Sequence, residues 1–275
     1  MSSPANAKAV AFRALHEQGA PFVIPNPWDR GSARMLEGLG FAALATTSSG
    51  FAMTLGRKDY GVTREQAINH GAEIADAVDI PVNADLENGF GPAPEDAAET
   101  IARACKTMLA GGSIEDSTGD KASPVIKDDA LAVARIAAAA NAVKASGRDF
   151  VLTARAEAFL YGIGEIGKVI ARLNAFADAG ADVLFAPGLP DLEAVRAICS
   201  SVIKPVNVLI LGSLAKHSVE DFAKAGATRL SIGGGLAWSA YGTLGNASAM
   251  LSEGRFDMLG ANRDGAKKVG PFLKA

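Results

Sequence analysis

The sequence predicts an α/β fold, a (β/α)8 TIM barrel with a leading helix and a C-terminal helical extension. Eight short apolar runs rich in β-branched residues alternate with segments of helical patterning, and several of those segments end in a glycine. A chain of 275 residues with 49% hydrophobic content can bury one large core. Residues 1–275 are therefore expected to form a single barrel domain, with a doubly wound open sheet as the alternative.

The predicted strands follow one another at intervals that leave room for a helix between most of them. In chain order they cover residues 22–25, 42–46, 82–85, 113–116, 150–154, 183–186, 206–210 and 229–233. A leading helix is expected over 5–18, and the clearest connecting helices over 94–110, 128–146, 163–179 and 191–200. Glycines suited to helix C-termini are Gly40, Gly147, Gly180 and Gly226. A helical tail follows about residue 234.

Composition narrows the function classes. The net charge of -3 and pI of 5.7 give no basic field for nucleic acid or anionic lipid. No apolar run approaches the roughly 20 residues of a membrane span, and the N-terminus lacks a secretory pattern, so a cytoplasmic location is expected. Cys105 and Cys199 lack metal-ligand spacing, which favours reduced structural thiols.

The most informative segment is PVNADLENGFG, residues 81–91, where an apolar run ends in acids. Asp85 and Glu87 stand two apart at a predicted strand end and are expected to project to the same side. The next unit, GGSIEDSTGD over 111–120, places Glu115 and Asp116 after a short strand. Carboxylate oxygens at one barrel edge are typical of a Mg2+ site.

Other polar residues are predicted at the same carboxyl ends, where barrel enzymes gather their active sites. Besides the acids, they are Asn26, Asp29, Thr46, Thr47, Ser48, Ser49, Arg155, Glu157, Asn207 and Gly233–Gly235. Any single acid among these residues can also be explained as a solvated loop residue. Their convergence on one edge favours a functional site.

The residues at this edge resemble the isocitrate lyase and phosphoenolpyruvate mutase superfamily. Residues 81–91 are similar to its D-x-D-x-G-Y-G signature, with Asp85 as the first acid, Glu87 replacing the second and Phe90 replacing Tyr. TLGRKDYG (54–61) resembles the family loop that carries an acid, here Asp59. IEDS (114–117), LTARAEAF (152–159) and PVNVL (205–209) extend the resemblance, which covers roughly residues 20–240.

The resemblance implies a Mg2+-dependent lyase, with Mn2+ as the alternative ion, that cleaves a carbon-carbon bond in a small 2-oxo or 2-hydroxy (di)carboxylic acid through an enolate. It implies Asp85 as main metal ligand, with Asp59, Glu87 and Glu115 binding directly or through water. The implied catalytic residues are Arg155, Asp59 and Glu115. The implied substrate contacts are Thr46, Thr47, Ser48, Asp85, Arg155 and Asn207. Family members are tetramers, so residues 240–275 are expected to be exchanged between subunits.

Departures from the family pattern leave the substrate open. The isocitrate and methylisocitrate lyases carry K-K-C-G-H on the loop after the fourth strand, whereas STGDKASPVIK (117–127) has neither Cys nor His there. They also carry a Glu after the sixth strand, where this chain has Ala186-Pro187-Gly188. Thr118 and Lys121 loosely resemble the lid of the phosphonate-handling members. Phosphonopyruvate or phosphoenolpyruvate mutase or hydrolase chemistry is therefore the first alternative, and a non-catalytic 2-oxo acid binder is the second.

Three simpler interpretations compete with these roles. Arg155 could simply form ion pairs with Glu157 or Glu115. LSIGGGLA (230–237) could be a phosphate site or only a closely packed strand-to-helix turn. The histidines, His16, His70 and His217, are expected at the surface or at helix ends.

Overall fold

The computed structural model describes residues 3–120 and 125–273 and has a barrel of parallel strands. The eight strands of this part are β1 Phe22–Ile24, β2 Leu44–Ala45, β3 Val82–Asp85, β4 Gly111–Glu115, β5 Val151–Arg155, β6 Val183–Phe185, β7 Val206–Leu209 and β8 Arg229–Ser231. They pair in parallel in the order β1-β8-β7-β6-β5-β4-β3-β2. A backbone hydrogen bond from the Ala45 amide to the Pro25 carbonyl (3.1 Å) spans the remaining gap between β1 and β2. The predicted barrel is confirmed, and the open sheet is excluded.

Helices connect the strands and form the outer layer. Those of the described residues are α1 Pro4–Leu15, α2 Arg30–Gly38, α3 Ser48–Thr54, α4 Arg64–Ala77, α5 Pro94–Ala104, α6 Asp129–Ser146, α7 Ile166–Asp178, α8 Leu192–Ser201, α9 Val219–Lys224, α10 Gly235–Gly242, α11 Ser248–Ser252 and α12 Asn262–Val269. The prediction extended α5 to residue 110, which is wrong. Thr107 ends the helix, because its hydroxyl donates to the Ala104 carbonyl (2.7 Å) and accepts from the Leu109 amide (3.1 Å).

The glycines that follow the helices adopt the backbone conformation expected of them. Gly147 caps α6 with φ 67°, in the left-handed region that L-residues with a side chain avoid. The other three predicted glycines also have positive φ, with values of 92° at Gly40, 105° at Gly180 and 90° at Gly226. These residues let each helix end sharply and return the chain to the barrel.

Helix α1 closes the barrel at the amino ends of the strands. Phe12 is fully buried there, and its ring meets those of His16 and Phe22 edge to face at 4.9 and 6.4 Å between centroids. His16 is the C-cap of α1, as expected, but its side chain is not at the surface. It is 9% exposed because the ring is enclosed by this aromatic floor. The surface alternative for His16 is therefore wrong.

The segment after β8 lies on the outside of the barrel and exposes large apolar side chains. Trp238 is 60% exposed and Leu251 is 94% exposed. Near the end of the described chain, the Phe272 ring returns to α2 and packs directly on Gly38. None of the described helices is long and apolar enough to cross a membrane.

Candidate active site

A cavity of about 160 Å³ opens at the carboxyl ends of the strands. It gathers most of the side chains that the sequence predicted for substrate or metal, namely Thr46, Thr47, Ser48, Asp59, Asp85, Arg155 and Asn207. Asp85 and Arg155 end β3 and β5, and the segment between β2 and β3 supplies the hydroxyl run and Asp59. Asn207 is the second residue of β7, so it lies deeper in the barrel than the strand end where the sequence placed it. The cavity wall does not include Glu87 or Glu115, so the predicted set is split between the cavity and its surroundings.

The segment Thr46–Ser48 and Asp85 fix each other in place. The Thr46 hydroxyl accepts a hydrogen bond from the Asp85 amide (2.8 Å), and Asp85 Oδ2 accepts one from the Ser48 amide (3.1 Å). Thr47 caps α3 by accepting from the Gly50 amide (3.3 Å). The run of hydroxyl residues after β2 thus supports the first acid of the β3 loop and leaves its own hydroxyls at the cavity.

Asp85 and Glu87 line a small cavity beside Thr46–Ser48, although Glu87 is absent from the wall of the main cavity. Strand β3 ends at Asp85, and Glu87 has φ 47°, so the alternation of a strand no longer applies at Glu87. The side chain is 4% exposed, and its Oε1 has no hydrogen-bond partner. Burial, together with the charges of Asp85 and Asp59, raises the pKa of the Glu87 carboxyl to about 8.

Arg155 is the centre of an ion-pair cluster beneath the cavity mouth. Its guanidinium donates to Asp85 Oδ1 (3.0 Å) and Glu157 Oε1 (2.9 Å) and contacts Glu115 Oε2 (3.2 Å). Its carbon lies 5.1 Å from the centre of the Phe185 ring. Burial alone would lower the pKa of Arg155, but the three carboxylates outweigh it and raise the pKa well above its usual value. The ion pairs offered as the alternative role are present, and a substrate-clamping role stays a prediction.

The two acids at the end of β4 separate, although the sequence placed them together. Glu115 points inward to Arg155 and accepts a hydrogen bond from the Tyr60 hydroxyl. Asp116 lies one residue beyond the strand and faces outward, where Arg172 contacts its Oδ2 at 2.6 Å. Asp116 is therefore a structural ion-pair partner, because adjacent residues of a strand face opposite sides.

Tyr60 and Tyr161 are site residues that the sequence interpretation missed. The Tyr60 hydroxyl lies 3.4 Å from that of Tyr161, which lies 3.1 Å from the Ser117 hydroxyl. Burial and the neighbouring Glu115 raise the pKa of Tyr60, so the phenol keeps its proton. Tyr60 follows Asp59 directly in the family-like loop, and that position is the signal that could have identified it.

The loop after β4 is closed at its base. Ser117 and Ile126 form an isolated antiparallel bridge, and the Lys127 amide donates to the Asp116 carbonyl at 2.8 Å. Thr118 lies above that bridge, at the edge of a second, outer cavity that Glu87 also lines. Lys121, which the resemblance linked to phosphonate chemistry, lies outside the described residues.

The donor set fits a Mg2+ ion of low protein coordination. Mg2+ keeps several waters and takes one or two carboxylates, and Asp85 and Asp59 both line the cavity with oxygen donors. The unpartnered Glu87 Oε1 lies close by as a further oxygen donor, and a bound cation would favour the ionised form of that carboxyl. Among the side chains of the described residues, no three or more His, Cys, Asp and Glu form a ready ligand group. The four predicted acids are therefore not all placed to bind one ion directly, and binding of Asp59, Glu87 and Glu115 through water stays a prediction.

The glycine-rich turn after β8 packs closely against the cavity wall. A Cβ on Gly234 would lie 2.7 Å from Ser49 Oγ and 2.9 Å from Trp238 Cδ1. Close packing therefore accounts for this glycine without a bound phosphate. Of the other histidines, His70 is half-buried, bonds to the Trp28 carbonyl (2.9 Å) and stacks on Phe51, away from the main cavity.

Fold and site together define an enzyme of the TIM-barrel class with an acidic, hydroxyl-rich active site. Residues 12–252 match the family model described as phosphoenolpyruvate phosphomutase. The chain therefore belongs to the phosphoenolpyruvate mutase family of the isocitrate lyase superfamily, and it is an enzyme of the lyase type.

The chain is also similar to individual proteins of known structure or activity. A crystal structure from Burkholderia cenocepacia, provisionally described as a lyase/mutase, is 43% identical with a TM-score of 0.92, covering 100% of this chain and 98% of its own. The 2-methylisocitrate lyase of Escherichia coli is 27% identical over 78% of this chain and 74% of its own. A phosphonopyruvate hydrolase solved with oxalate and Mg2+ shares the fold, with a TM-score of 0.80, 22% identity and coverage of 98% and 92%.

Proposed function

We propose that this chain is a Mg2+-dependent lyase that breaks a carbon-carbon bond in a small 2-oxo or 2-hydroxy (di)carboxylic acid. The observation that carries the proposal is the single cavity shared by Asp59, Asp85 and the hydroxyl run Thr46–Ser48. Membership of a family with a carbon-carbon lyase among its relatives supports the same bond type. The proposed enzyme works in the cytoplasm.

Substrate binding is assigned to the neutral donors of the cavity. The hydroxyls of Thr46, Thr47 and Ser48 can donate to a carboxylate or an oxo group without bringing a charge into the site. Asn207 adds an amide at the inner end of the cavity, where its Nδ2 also donates to Ser231 Oγ (2.9 Å). Because these groups are held by the hydrogen bonds to Asp85 and the cap of α3, they bind and orient the acid with little reorganisation.

Metal binding is assigned chiefly to Asp85, with Asp59 joining through water and Glu87 and Glu115 acting from outside the cavity wall. A bound Mg2+ supplies electrostatic stabilisation of the negative charge that develops on the oxo oxygen as the bond breaks. Arg155 contacts Asp85 at 3.0 Å and holds that carboxylate in one orientation. The same arginine opposes the rise in pKa that burial causes at the carboxyls of Glu115 and Glu157.

Proton transfer is assigned to a carboxylate at the cavity. When a 2-hydroxy acid is cleaved, a base takes the hydroxyl proton, the hydroxyl carbon becomes a carbonyl, and the fragment that keeps the electron pair of the broken bond takes up a proton. Asp59 lines the cavity and is accessible there, whereas both oxygens of Glu115 are engaged by Arg155 and Tyr60. The geometry therefore favours Asp59 over Glu115 for this step.

The experiment is a substrate panel with the purified chain. Small 2-oxo and 2-hydroxy mono- and diacids are incubated with Mg2+, with Mn2+ or with a chelator, and carbon-carbon cleavage products are quantified. The proposal expects metal-dependent release of a 2-oxo acid from at least one compound. Release of inorganic phosphate from phosphonopyruvate would instead select phosphonate chemistry. Saturable binding of acids without any product would select the non-catalytic binder.

The quaternary structure is proposed to be a homotetramer. Trp238 and Leu251 leave apolar area on the segment after β8 that a second copy of the chain can cover. Sedimentation velocity is expected to give a tetramer at micromolar concentration, and Trp238→Asp is expected to shift it to smaller species. A wild-type chain that sediments as a monomer across the concentration range would refute this arrangement.

A further inference from the structure

A second buried arginine forms part of the cavity wall at its inner end. Arg229 opens β8, is 3% exposed and lines the same cavity as Asp85. Its Nε donates to Asn207 Oδ1 (2.9 Å) and its Nη2 donates to Thr153 Oγ1 (3.1 Å). Its Nη1 lies 3.3 Å from His16 Nε2. Asn207 lines the cavity beside Arg229, whereas Thr153 and His16 contact the guanidinium from outside the cavity wall.

The partners of Arg229 are all neutral. His16 Nδ1 lies 2.9 Å from the Phe12 carbonyl, which fixes the proton on Nδ1 and leaves Nε2 as the acceptor for Arg229. Burial and the nearby charge of Arg229 lower the pKa of His16 to about 3, so the ring stays uncharged. Burial lowers the pKa of Arg229 itself to about 9, and no ion pair to Arg229 occurs within the described chain. A buried cation without an anion is costly.

The cavity leaves room for an anion above this arginine. A guanidinium has five N–H groups, and three of them are used by the protein, so two are free to donate to a ligand. The surrounding wall is small and polar, with Asn83, Ser113 and Ser231 where barrels usually place bulky branched side chains. Free donors, charge and space therefore coincide at one end of the cavity.

The spacing of the two arginines sets a length for the ligand. Thr153, which touches Arg229, and Arg155 are two residues apart on β5, so their layers are separated by roughly 6.6 Å along the strand. An extended four-carbon diacid has terminal carboxyl carbons about 4 Å apart. With one hydrogen bond of about 2.9 Å added at its inner end, such a diacid spans about the distance between the layer of Arg155 and the layer of Arg229.

We propose that Arg229 is an anion-binding residue that selects diacids whose two carboxyl carbons lie about 4 Å apart, as at the two ends of a four-carbon chain. The inner carboxylate accepts from the free N–H groups of Arg229, while the outer one binds at Thr46–Ser48. The choice of a carboxylic acid as ligand rests on the proposed function, whereas the anion site itself rests on the contacts of Arg229. Arg229 is thus a specificity residue, separate from the acid cluster at the mouth.

The test compares two ligands that differ only at the inner end, malate and 2-hydroxybutyrate, by isothermal titration calorimetry with Mg2+ present. Wild type is expected to bind malate at least about tenfold tighter, since a charge-assisted hydrogen bond is lost in the methyl analogue. Arg229→Gln is expected to weaken malate about tenfold or more and to leave 2-hydroxybutyrate within about twofold. Arg229→Lys, which keeps charge and volume, is expected to restore part of the preference.

The matched control is Arg148→Gln, because Arg148 is held by the carbonyls of Cys105, Thr107, Leu109 and Ala5 outside the cavity. It is expected to keep the malate preference. Equal affinities for both ligands in wild type would overturn the inference even if Arg229→Gln failed to fold. An equal loss of affinity for both ligands in Arg229→Gln would overturn it too.

If the malate preference depends on Arg229 but no acid is cleaved, the anion site stands and the lyase proposal fails. If an acid is cleaved but Arg229→Gln keeps the malate preference, the lyase proposal stands and the anion site fails.

Discussion

The two arginines inside the barrel face opposite electrostatic surroundings. Arg155, near the mouth, contacts three carboxylates within 3.2 Å, and they raise its pKa. Arg229, at the floor, contacts an amide, a hydroxyl and a neutral imidazole, and burial lowers its pKa to about 9. One charge is neutralised by the fold, and the other is left for a ligand. Arg155 therefore holds the acids of the site in place, whereas Arg229 is the residue proposed to bind the ligand.

Removal of the mouth arginine should have the largest effect on stability. Arg155→Met leaves Glu115 and Glu157 buried without a counter-charge, and Asp85 loses its fixed orientation. We expect the free energy of unfolding, measured in urea, to fall by about 3–5 kcal/mol. Arg172→Met removes an arginine whose ion pair with Asp116 lies outside the barrel, and it is the comparison variant in the same urea measurement. A loss below about 1 kcal/mol in Arg155→Met would mean that the cluster at the mouth is not held by this charge.

The imidazole at the floor should make stability fall in acid. His16 has a pKa of about 3 in the folded chain against 6.5 when unfolded, so between these values the unfolded chain binds more protons. The free energy of unfolding should therefore decrease as pH falls from 6.5, by at most about 1.4 kcal/mol per pH unit from this residue. Urea titrations of wild type and His16→Gln between pH 7 and 4.5 should show a shallower decline in the variant. Identical slopes would place His16 in a solvated setting.

Removal of the floor arginine should have the smallest effect on the ligand-free protein. Arg229→Gln takes away a buried charge that has no anionic partner and keeps a side chain able to bond to Asn207. We expect the free energy of unfolding to change by less than about 1 kcal/mol, in contrast to Arg155→Met. Urea denaturation without added acids measures the difference. A loss as large as that of Arg155→Met would make the two arginines equivalent structural elements.

The alternation of apolar runs with helical patterning was enough to predict the strands and most helix ends of the barrel. All eight predicted strands are present, and Gly147 and Gly180 stand at the helix ends where they were expected. Helix α5 was predicted too long, since a side-chain hydrogen bond of Thr107 overrides helical patterning. Such local competition depends on geometry that a pattern of apolar residues does not contain.

The site was predicted less completely, because side-chain direction after a strand end is not periodic. Asp85 and Thr46 were placed at the cavity from their positions, whereas Glu87 has a positive φ and lies outside the main cavity wall, and Asp116 turns outward to Arg172. Arg229 was missed, although a charge as the first residue of an apolar strand run was visible in the sequence. Only the packing of α1 under the barrel shows that this charge is enclosed.

The central claim is that the acids at the mouth hold Mg2+ for bond cleavage, and Asp85 is its key residue. The most direct measurement is the rate at which the best panel substrate is cleaved as Mg2+ concentration is raised, in wild type, Asp85→Ala and Glu220→Gln. Glu220→Gln is the control, because Glu220 is an exposed acid that pairs with Lys224. We predict saturable activation that a chelator abolishes, no change in Glu220→Gln, and a loss of about a thousandfold or more in a folded Asp85→Ala. Cleavage that survives chelation, or an Asp85→Ala variant as active as wild type, would contradict the account.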